Sequence, residues 1–438
     1  MPTTGISPLL DRHPELSGLA AKLTAFLDTH LPEPVCEGDP RPDWLALRAR
    51  AATAGLTGID VTFPDEFGDG SQGELPAEFS AEQGEPGEPR GRVAQGMAMF
   101  LAGQRDCDAR EIFSTGHAAM PLRYGSPALV RHTREKVVGA GELAGIASSE
   151  PHSGSDLRGF RTVLVDHGDH FTLSGSKGLI SRVEEAYGFV VFCKLVDRAD
   201  AGRTDLRDVP LSAVWVPADA AGVLTETTDP MGMRGWSFGH LHFVDTRLDK
   251  DFLLGEPGDG RRIFDTHFSA WRLMMSLVCL GAAAAAIQES AARTRARTVA
   301  RMPLAAIPSV AARLGTAAAE VEAATAWCFA LLERIDQGET DVAACSAAKA
   351  LATDTSYRAV DLALQLHGSE GYTKHTPMEK RLRDIRGLRI ADGPNDTLYS
   401  VLAHALLAED RQAEDHQAED RQAGDRQAGD ARLLASRR

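Results

Sequence analysis

Residues Gln365 to Asp396 read QLHGSEGYTKHTPMEKRLRDIRGLRIADGPND, a stretch with two glycine-marked breaks, a dense basic run and one carboxylate, Asp392, just before the chain becomes helical again. A helix rich in Ala and Leu ends at His367-Gly368, where glycine adopts the left-handed conformation that stops a helix and leaves its carbonyls open. Asp392-Gly393-Pro394-Asn395 reads as a turn, because Pro fixes one dihedral and Gly permits the unusual one. An acid held in such a turn beside apolar neighbours is a candidate base.

The helical texture continues outward on both sides. Arg262 to Arg297, Pro308 to Ile335 and Asp341 to His367 are long Ala-rich patterns, the third capped by Thr340 or Asp341, and a fourth starts at Pro394 and runs to about Ala408. Four long helices joined by short loops describe a bundle. Upstream, residues 160 to 245 alternate apolar and polar positions between turn signals (FRTVLVDHGDHFTLSGSKGLIS, YGFVVFCKLV, LSAVWVPA, HLHFVDTRL), which predicts an antiparallel sheet or small barrel. Further upstream, PELSGLAAKLTAFLDTHL, PDWLALRARAATAG and VAQGMAMFLAGQRDCDAREIFSTGHAAM predict helices. The fold expected is therefore α+β and multidomain. It comprises an N-terminal helical domain (1–141, with a flexible Gly/Glu/Pro-rich insertion from Ser71 to Arg92), a middle antiparallel β-domain (142–256), a C-terminal four-helix bundle (257–408) and a low-complexity tail (409–438). The tail repeats a five-residue unit that matches neither a helix face nor a strand face.

Read as Gln-x-x-Gly-x-x-Gly-Tyr, Glu-x-x-x-Arg-Asp and Arg-Ile-x-acid-Gly, the opening stretch resembles the C-terminal signature of the acyl-CoA dehydrogenases. In that family the acid before the Gly is usually Glu. It removes the proton alpha to a thioester carbonyl while the beta hydride passes to N5 of FAD. Here the acid is Asp392, and the likeness is closest to a branch that reads Ala-Asp-Gly-Pro-Asp. Two further stretches are similar to family motifs in the same order: LAGIASSEPHSGSD (Leu143 to Asp156) to the Thr-Glu-Pro-x-x-Gly-Ser-Asp loop, and Lys177-Gly178-Leu179-Ile180-Ser181 to Lys-x-Trp-Ile-Thr. GIDVTFPDEFGDG, from Gly58 to Gly70, is similar to a fourth, and MGMRGWSFGH resembles the loop that closes the β-domain, though a structural turn explains it equally well.

The resemblance implies roles residue by residue. Asp392 would be the base with Arg272 beside it; Ser149 would face the flavin pyrimidine, Ser155 the pyrophosphate and Ser181 the flavin N5. Arg297 would reach the cofactor pyrophosphate of a neighbouring subunit, and Gln365, Gly368 and Gly371 the adenine end of a partner's cofactor. The chain departs from the pattern in several places. Leu179 replaces the Trp that shields the flavin, Ala300 and Arg301 replace Phe and Gly after Arg297, and Pro394 and Asp396 replace Thr and Gln after the acid. Exchanging Glu for Asp withdraws the base by about 1.5 Å, a displacement that matters for rate unless the turn moves to compensate.

Composition narrows the remaining classes. A net charge of -15 argues against a nucleic-acid groove, which needs a basic surface. No stretch offers the roughly 20 uninterrupted apolar residues of a membrane span, and MPTTGISPLLDRHPE lacks the order of a signal peptide. Six scattered cysteines suit neither a disulfide framework nor a metal site, so a cytoplasmic protein without metal is expected. Three functions stay open. The first is FAD-dependent alpha,beta-dehydrogenation of an acyl thioester on CoA or acyl carrier protein, with an electron-transfer flavoprotein as acceptor. The second is a flavin oxidase or monooxygenase using O2, acting on a nitroalkane or on an intermediate of secondary metabolism. The third is a flavin-free scaffold in which Asp392 only caps the last helix. A homodimer or homotetramer is implied for the enzymatic readings.

Overall fold

The computed structural model describes residues 5–37, 39–61, 90–203 and 205–407. The tail, most of the expected insertion and positions 62–70 of the Gly58 to Gly70 motif lie outside these residues.

Helices precede the sheet: α1 (Ser7–Arg12), α2 (Ser17–His30), α3 (Trp44–Thr53), α4 (Arg92–Arg105), α5 (Ala119–Tyr124) and α6 (Pro127–Thr133). In α2 the buried residues Leu19, Ala20, Leu23 and Leu27 share one face, and α3 starts where the Asp43 carboxylate accepts from the Ala46 N–H at 2.9 Å. The insertion was expected to extend through Arg92, but α4 begins there. The Asp336 carboxylate accepts from the Arg92 and Val93 N–H groups at 2.8 and 3.0 Å, which satisfies the donors of the first turn. The helical run expected through Met120 breaks at Asp106, whose carboxylate caps the Asp108 N–H and starts a short 3-10 turn, Cys107–Glu111.

Strands β1 (Leu143–Ala147), β2 (Val163–Asp166), β3 (Phe171–Ser181), β4 (Ala186–Asp197), β5 (Leu211–Pro217), β6 (Val223–Thr227), β7 (Phe238–Leu248) and β8 (Leu253–Leu254) form one sheet. Its order is β6-β7-β3-β2-β4-β5-β8, with β1 also on β4. The sheet is mixed, not antiparallel as expected: β1 and β2 both run parallel to β4. Alternation of apolar residues records which faces are buried, and both parallel and antiparallel neighbours satisfy it. β4 is buried on both faces. Phe189, Val191 and Cys193 join the cluster inside the domain, while Val190 and Phe192 join Trp215 and Ile263 beneath the helices. β1 lies against residues 186–191 of β4 and β2 against 194–197, so the two strands share one edge end to end. The chain between them, 148–162, has to leave the sheet there.

The C-terminal helices are α7 (Gly260–Ala296), α8 (Pro308–Asp336), α9 (Val342–His367), α10 (Met378–Leu388) and α11 (395–407). Three of the expected long helices and the fourth appear where the pattern puts them, and α10 is additional. The apolar stripe of α10, Met378, Ile385 and Leu388 with Leu382 beside it, is interrupted by the buried Lys380, Arg381 and Asp384, and within a run of basic residues it reads only as charge. α7 is long and apolar enough to cross a membrane, but most of that apolar stretch is buried, as in a core helix. α4 packs along it so closely that a Cβ on Gly103 would meet the Val278 carbonyl oxygen, and one on Gly281 the Phe100 carbonyl oxygen. These glycines let two backbones touch.

Candidate active site

Asp392 follows α10 with φ at 57°, in the left-handed region that Asp tolerates better than most side chains, and Gly393 continues the turn at φ 106°. The turn is held from two helices. The Arg272 guanidinium of α7 donates from Nε to the Asp392 carbonyl at 3.0 Å and from Nη1 to Ser346 Oγ at 3.1 Å. Lys349 of α9, fully buried, donates from Nζ to the Gly393 carbonyl at 2.7 Å and to Asn395 Oδ1 at 3.1 Å. Asn395 in turn donates to the Ala350 carbonyl, Thr353 and Asp354, so the start of α11 is tied to α9. Burial pushes the Asp392 carboxyl above its ordinary value, against the opposing pull of Lys349, Arg272, Arg110 and Arg182. Burial likewise lowers Lys349 to about 8.

On the sheet side, the loop after β1 is clamped against β3. Buried Lys177 donates from Nζ to the Ser148 carbonyl and to Glu150 Oε1, both at 2.8 Å, and the Gly178 N–H donates to the Ser149 carbonyl at 2.9 Å. Glu150 also accepts from the Arg161 and Thr162 N–H groups, which fixes both ends of the loop. Ser149 and Ser181 are half-buried and Ser155 is exposed. Among the described residues no partner engages any of these three hydroxyls, which suits them to an acceptor-rich ring edge. Leu179 has φ at 60° and is 62% exposed. Arg182, directly after Ser181, acts electrostatically on Asp392, so the end of β3 and the acid turn face one region.

The remaining expected contacts lie elsewhere in the same chain. Arg297 sits just past the end of α7, about 37 Å beyond Arg272 at ~1.5 Å per residue. Gln365, Gly368 and Gly371 are at the far end of α9, where Arg293 bonds the His367 carbonyl at 2.9 Å and Glu370 at 2.5 Å. Thus one chain joins Arg272 to Asp392 and the Ser149 loop to β3, and places Arg297, Gln365, Gly368 and Gly371 at the far ends of α7 and α9.

The description "Acyl-CoA dehydrogenase, middle domain" matches residues 145–246, and "Acyl-CoA dehydrogenase, C-terminal domain" matches 258–407. Together they cover more than half of the chain. The chain belongs to the acyl-CoA dehydrogenase family. It is similar to the short-chain specific acyl-CoA dehydrogenase of bovine mitochondria, 33% identical over 60% of this chain and 62% of that enzyme. In fold it resembles the crystal structure of an acyl-CoA dehydrogenase from Geobacillus kaustophilus, with a TM-score of 0.74 and 21% identity over 90% of this chain and 98% of that one. It also resembles the prolyl acyl carrier protein oxidase AnaB, with a TM-score of 0.72 and 17% identity over 89% and 98%. Membership makes this an enzyme of a flavoprotein oxidoreductase family, and FAD is the cofactor of that class.

Within the family site, sequence reading missed Lys349, Asn395 and Arg182. A signal for Lys349 was present. Ser346, Lys349, Thr353 and Ser356 repeat at helical spacing on one buried stripe of an Ala-rich helix, and polar residues aligned inside an apolar face need partners. Lys349→Met is expected to move the acid limb of the kcat/KM profile to higher pH. Loss of the nearest strong positive influence disfavours the ionised carboxylate, so the Asp392 pKa rises further. A limb that stays in place or moves to lower pH contradicts this electrostatic coupling.

Proposed function

We propose that the protein dehydrogenates an acyl thioester, carried by CoA or an acyl carrier protein, with Asp392 as the base that takes the alpha proton. The single observation that supports this most is the Asp392 turn itself. A carboxylate with a raised pKa is fixed in a left-handed turn held by Arg272 and Lys349. Desolvation narrows the gap between Asp392 and a weakly acidic C–H bond, while the two cations oppose the charge that develops on the enolate. Ser149 and Ser181 would hold the flavin ring, and Ser155 would lie toward the pyrophosphate. FAD, when bound, supplies the acceptor for the beta hydride. The alpha C–H pair becomes the new double bond as its proton goes to Asp392, and the beta hydrogen leaves with its electrons.

The distance between the two groups of expected cofactor contacts supports a shared site. Arg297, Gln365, Gly368 and Gly371 would serve a partner copy in a homodimer or in the dimers of a homotetramer. We take the division at residues 142 and 257, a cytoplasmic setting and a role in secondary metabolism as parts of the same reading. Six free cysteines suit the reducing compartment. An electron-transfer flavoprotein is the acceptor proposed.

Leu179 favours a second reading. Exposed at the position of the shielding aromatic, it leaves a small aliphatic side chain beside the flavin, which suits access of O2 and an oxidase or monooxygenase. Anaerobic titration of the purified protein with acyl thioesters, followed by air, separates the two by absorbance. Bleaching of the oxidised-flavin band that persists in air is the expected result. Prompt recovery of the band assigns the oxygen-using chemistry, and a protein that neither contains nor takes up flavin removes both readings.

A further inference from the structure

The chain from Arg389 to Asn395 leads out of α10 and into α11, and Asp392 stands at its middle. The Asn395 N–H closes this loop on the Arg389 carbonyl at 3.2 Å. From outside, a single carboxylate on α9 holds both ends. Asp354 Oδ1 accepts from Arg389 Nε at 2.6 Å and from Asn395 Nδ2 at 2.9 Å. Its Oδ2 accepts from Tyr399 Oη, one turn further along α11, at 3.3 Å. The Arg389 guanidinium also lies 5.0 Å from the centre of the Tyr357 ring, one turn from Asp354 on α9. Arg272 and Lys349 hold the carbonyls of Asp392 and Gly393 inside the turn. Asp354 holds the two residues from which the turn is hung.

The side chains of Asp354 and Arg389 remain 20% and 33% exposed, and an ion pair in contact with water adds little to the stability of a folded chain. Its geometry, however, decides where the middle of the loop sits. Asp has one side-chain torsion fewer than Glu, so its carboxylate follows the backbone more directly and has fewer rotamers with which to recover a lost position. A displacement of about 1 Å at a reacting group can cost about 100-fold in rate. Resting on the reading of Asp392 as the base for a thioester, we propose that Asp354 is a positioning residue: its carboxylate clamps Arg389 to Asn395 and so sets the reach of the Asp392 carboxylate. It acts through the loop and not on the substrate. A supporting group of this kind keeps a reacting side chain within the narrow range of geometries that chemistry tolerates.

Asp354→Ala removes the clamp and leaves a good helix former on α9. In the flavin-loaded full chain, anaerobic stopped-flow absorbance follows reduction by the butyryl, isobutyryl and octanoyl thioesters of pantetheine, and hydrogen exchange follows the amides of residues 389–396. With the thioester that reduces the parent fastest, the limiting rate is expected to fall at least about tenfold, while the half-saturating concentration stays within about threefold. Exchange in the loop is expected to quicken at least about tenfold, with flavin content unchanged. Arg389→Gln should act in the same way, and it keeps the test decisive should Asp354→Ala not fold. The double variant should be no more than about twofold slower than the slower single one, because the two groups form one clamp. A smaller loss of limiting rate in a folded variant, a loss confined to half-saturation, or a slow variant whose loop exchanges as in the parent overturns the proposal and leaves Asp392 as the base. A double variant that multiplies the two single losses also overturns it. A parent whose flavin none of the three thioesters reduces overturns the thioester reading, and this proposal with it.

Discussion

Asp392→Asn is expected to slow flavin reduction by an acyl thioester by on the order of 10²–10⁴-fold, the usual contribution of a positioned general base. The amide is nearly isosteric and keeps the left-handed backbone that Asn shares with Asp. The hydrogen bond from Arg272 goes to the backbone carbonyl of residue 392 and does not depend on the carboxylate, so the turn survives the change. Flavin content and the oxidised spectrum should stay as in the parent. Asp392→Glu should retain part of the activity. It restores a carboxylate, but a longer one, at a φ of 57° that suits Glu less well. In the parent the rate should fall on acidification, because the base must be ionised; with its pKa raised by burial, that fall begins at higher pH than for an ordinary Asp. A stopped-flow trace in which Asp392→Asn reduces the flavin at close to the parental rate would remove Asp392 from the mechanism.

Lys380→Met is expected to cost about 3–5 kcal/mol of stability, because it strands buried charge. The Lys380 ammonium lies 2.8 Å from Asp106, 3.4 Å from Asp108 and 2.8 Å from Asp384. Arg110 also reaches Asp108, and the Met233 N–H donates to Asp384 at 2.6 Å. The cluster joins α10, the turn after α4 and the loop before β7, so it ties the three parts of the chain together. Burial already raises Asp106 to about 6 and raises Asp384. Without Lys380 the carboxyls hold their protons more strongly in the folded state than in the unfolded one. The folded state then binds more protons, so stability declines as pH rises through the folded pKa values. The loss should thus be smaller near pH 5 than near pH 8, a pattern that equilibrium denaturation in urea at the two values can read. A variant within about 1 kcal/mol of the parent at both would mean that water or rearrangement satisfies the carboxylates.

Neighbouring residues differed in how far they could be read from sequence. Asp392 was legible because a turn announces itself locally: Gly and Pro restrict the backbone whatever surrounds them. Helices α7, α8 and α9 were legible because their apolar stripes repeat at helical spacing. α10 was not, since charged residues break up its apolar stripe: Lys380, Arg381 and Asp384 are buried between Met378 and Ile385, and their partners lie in α4, the following turn, α7 and the loop before β7. The parallel placement of β1 and β2 was hidden for a similar reason. A strand's alternation is the same whichever way its neighbour runs.

The sequence by itself determined the kinds of elements, their order, the family likeness and the acid in its turn, since these rest on short-range periodicity, turn chemistry and colinear motifs. The tertiary structure alone decided that β1 and β2 share an edge of β4, freeing the Ser149 loop to bond Gly178 of β3. It also decided that Lys349 joins the expected Arg272 in holding the acid turn. Those partners come from distant parts of the chain. Whether a buried charge is anchored, shared or left with a free donor depends on which of them arrive, and packing of the whole chain determines that.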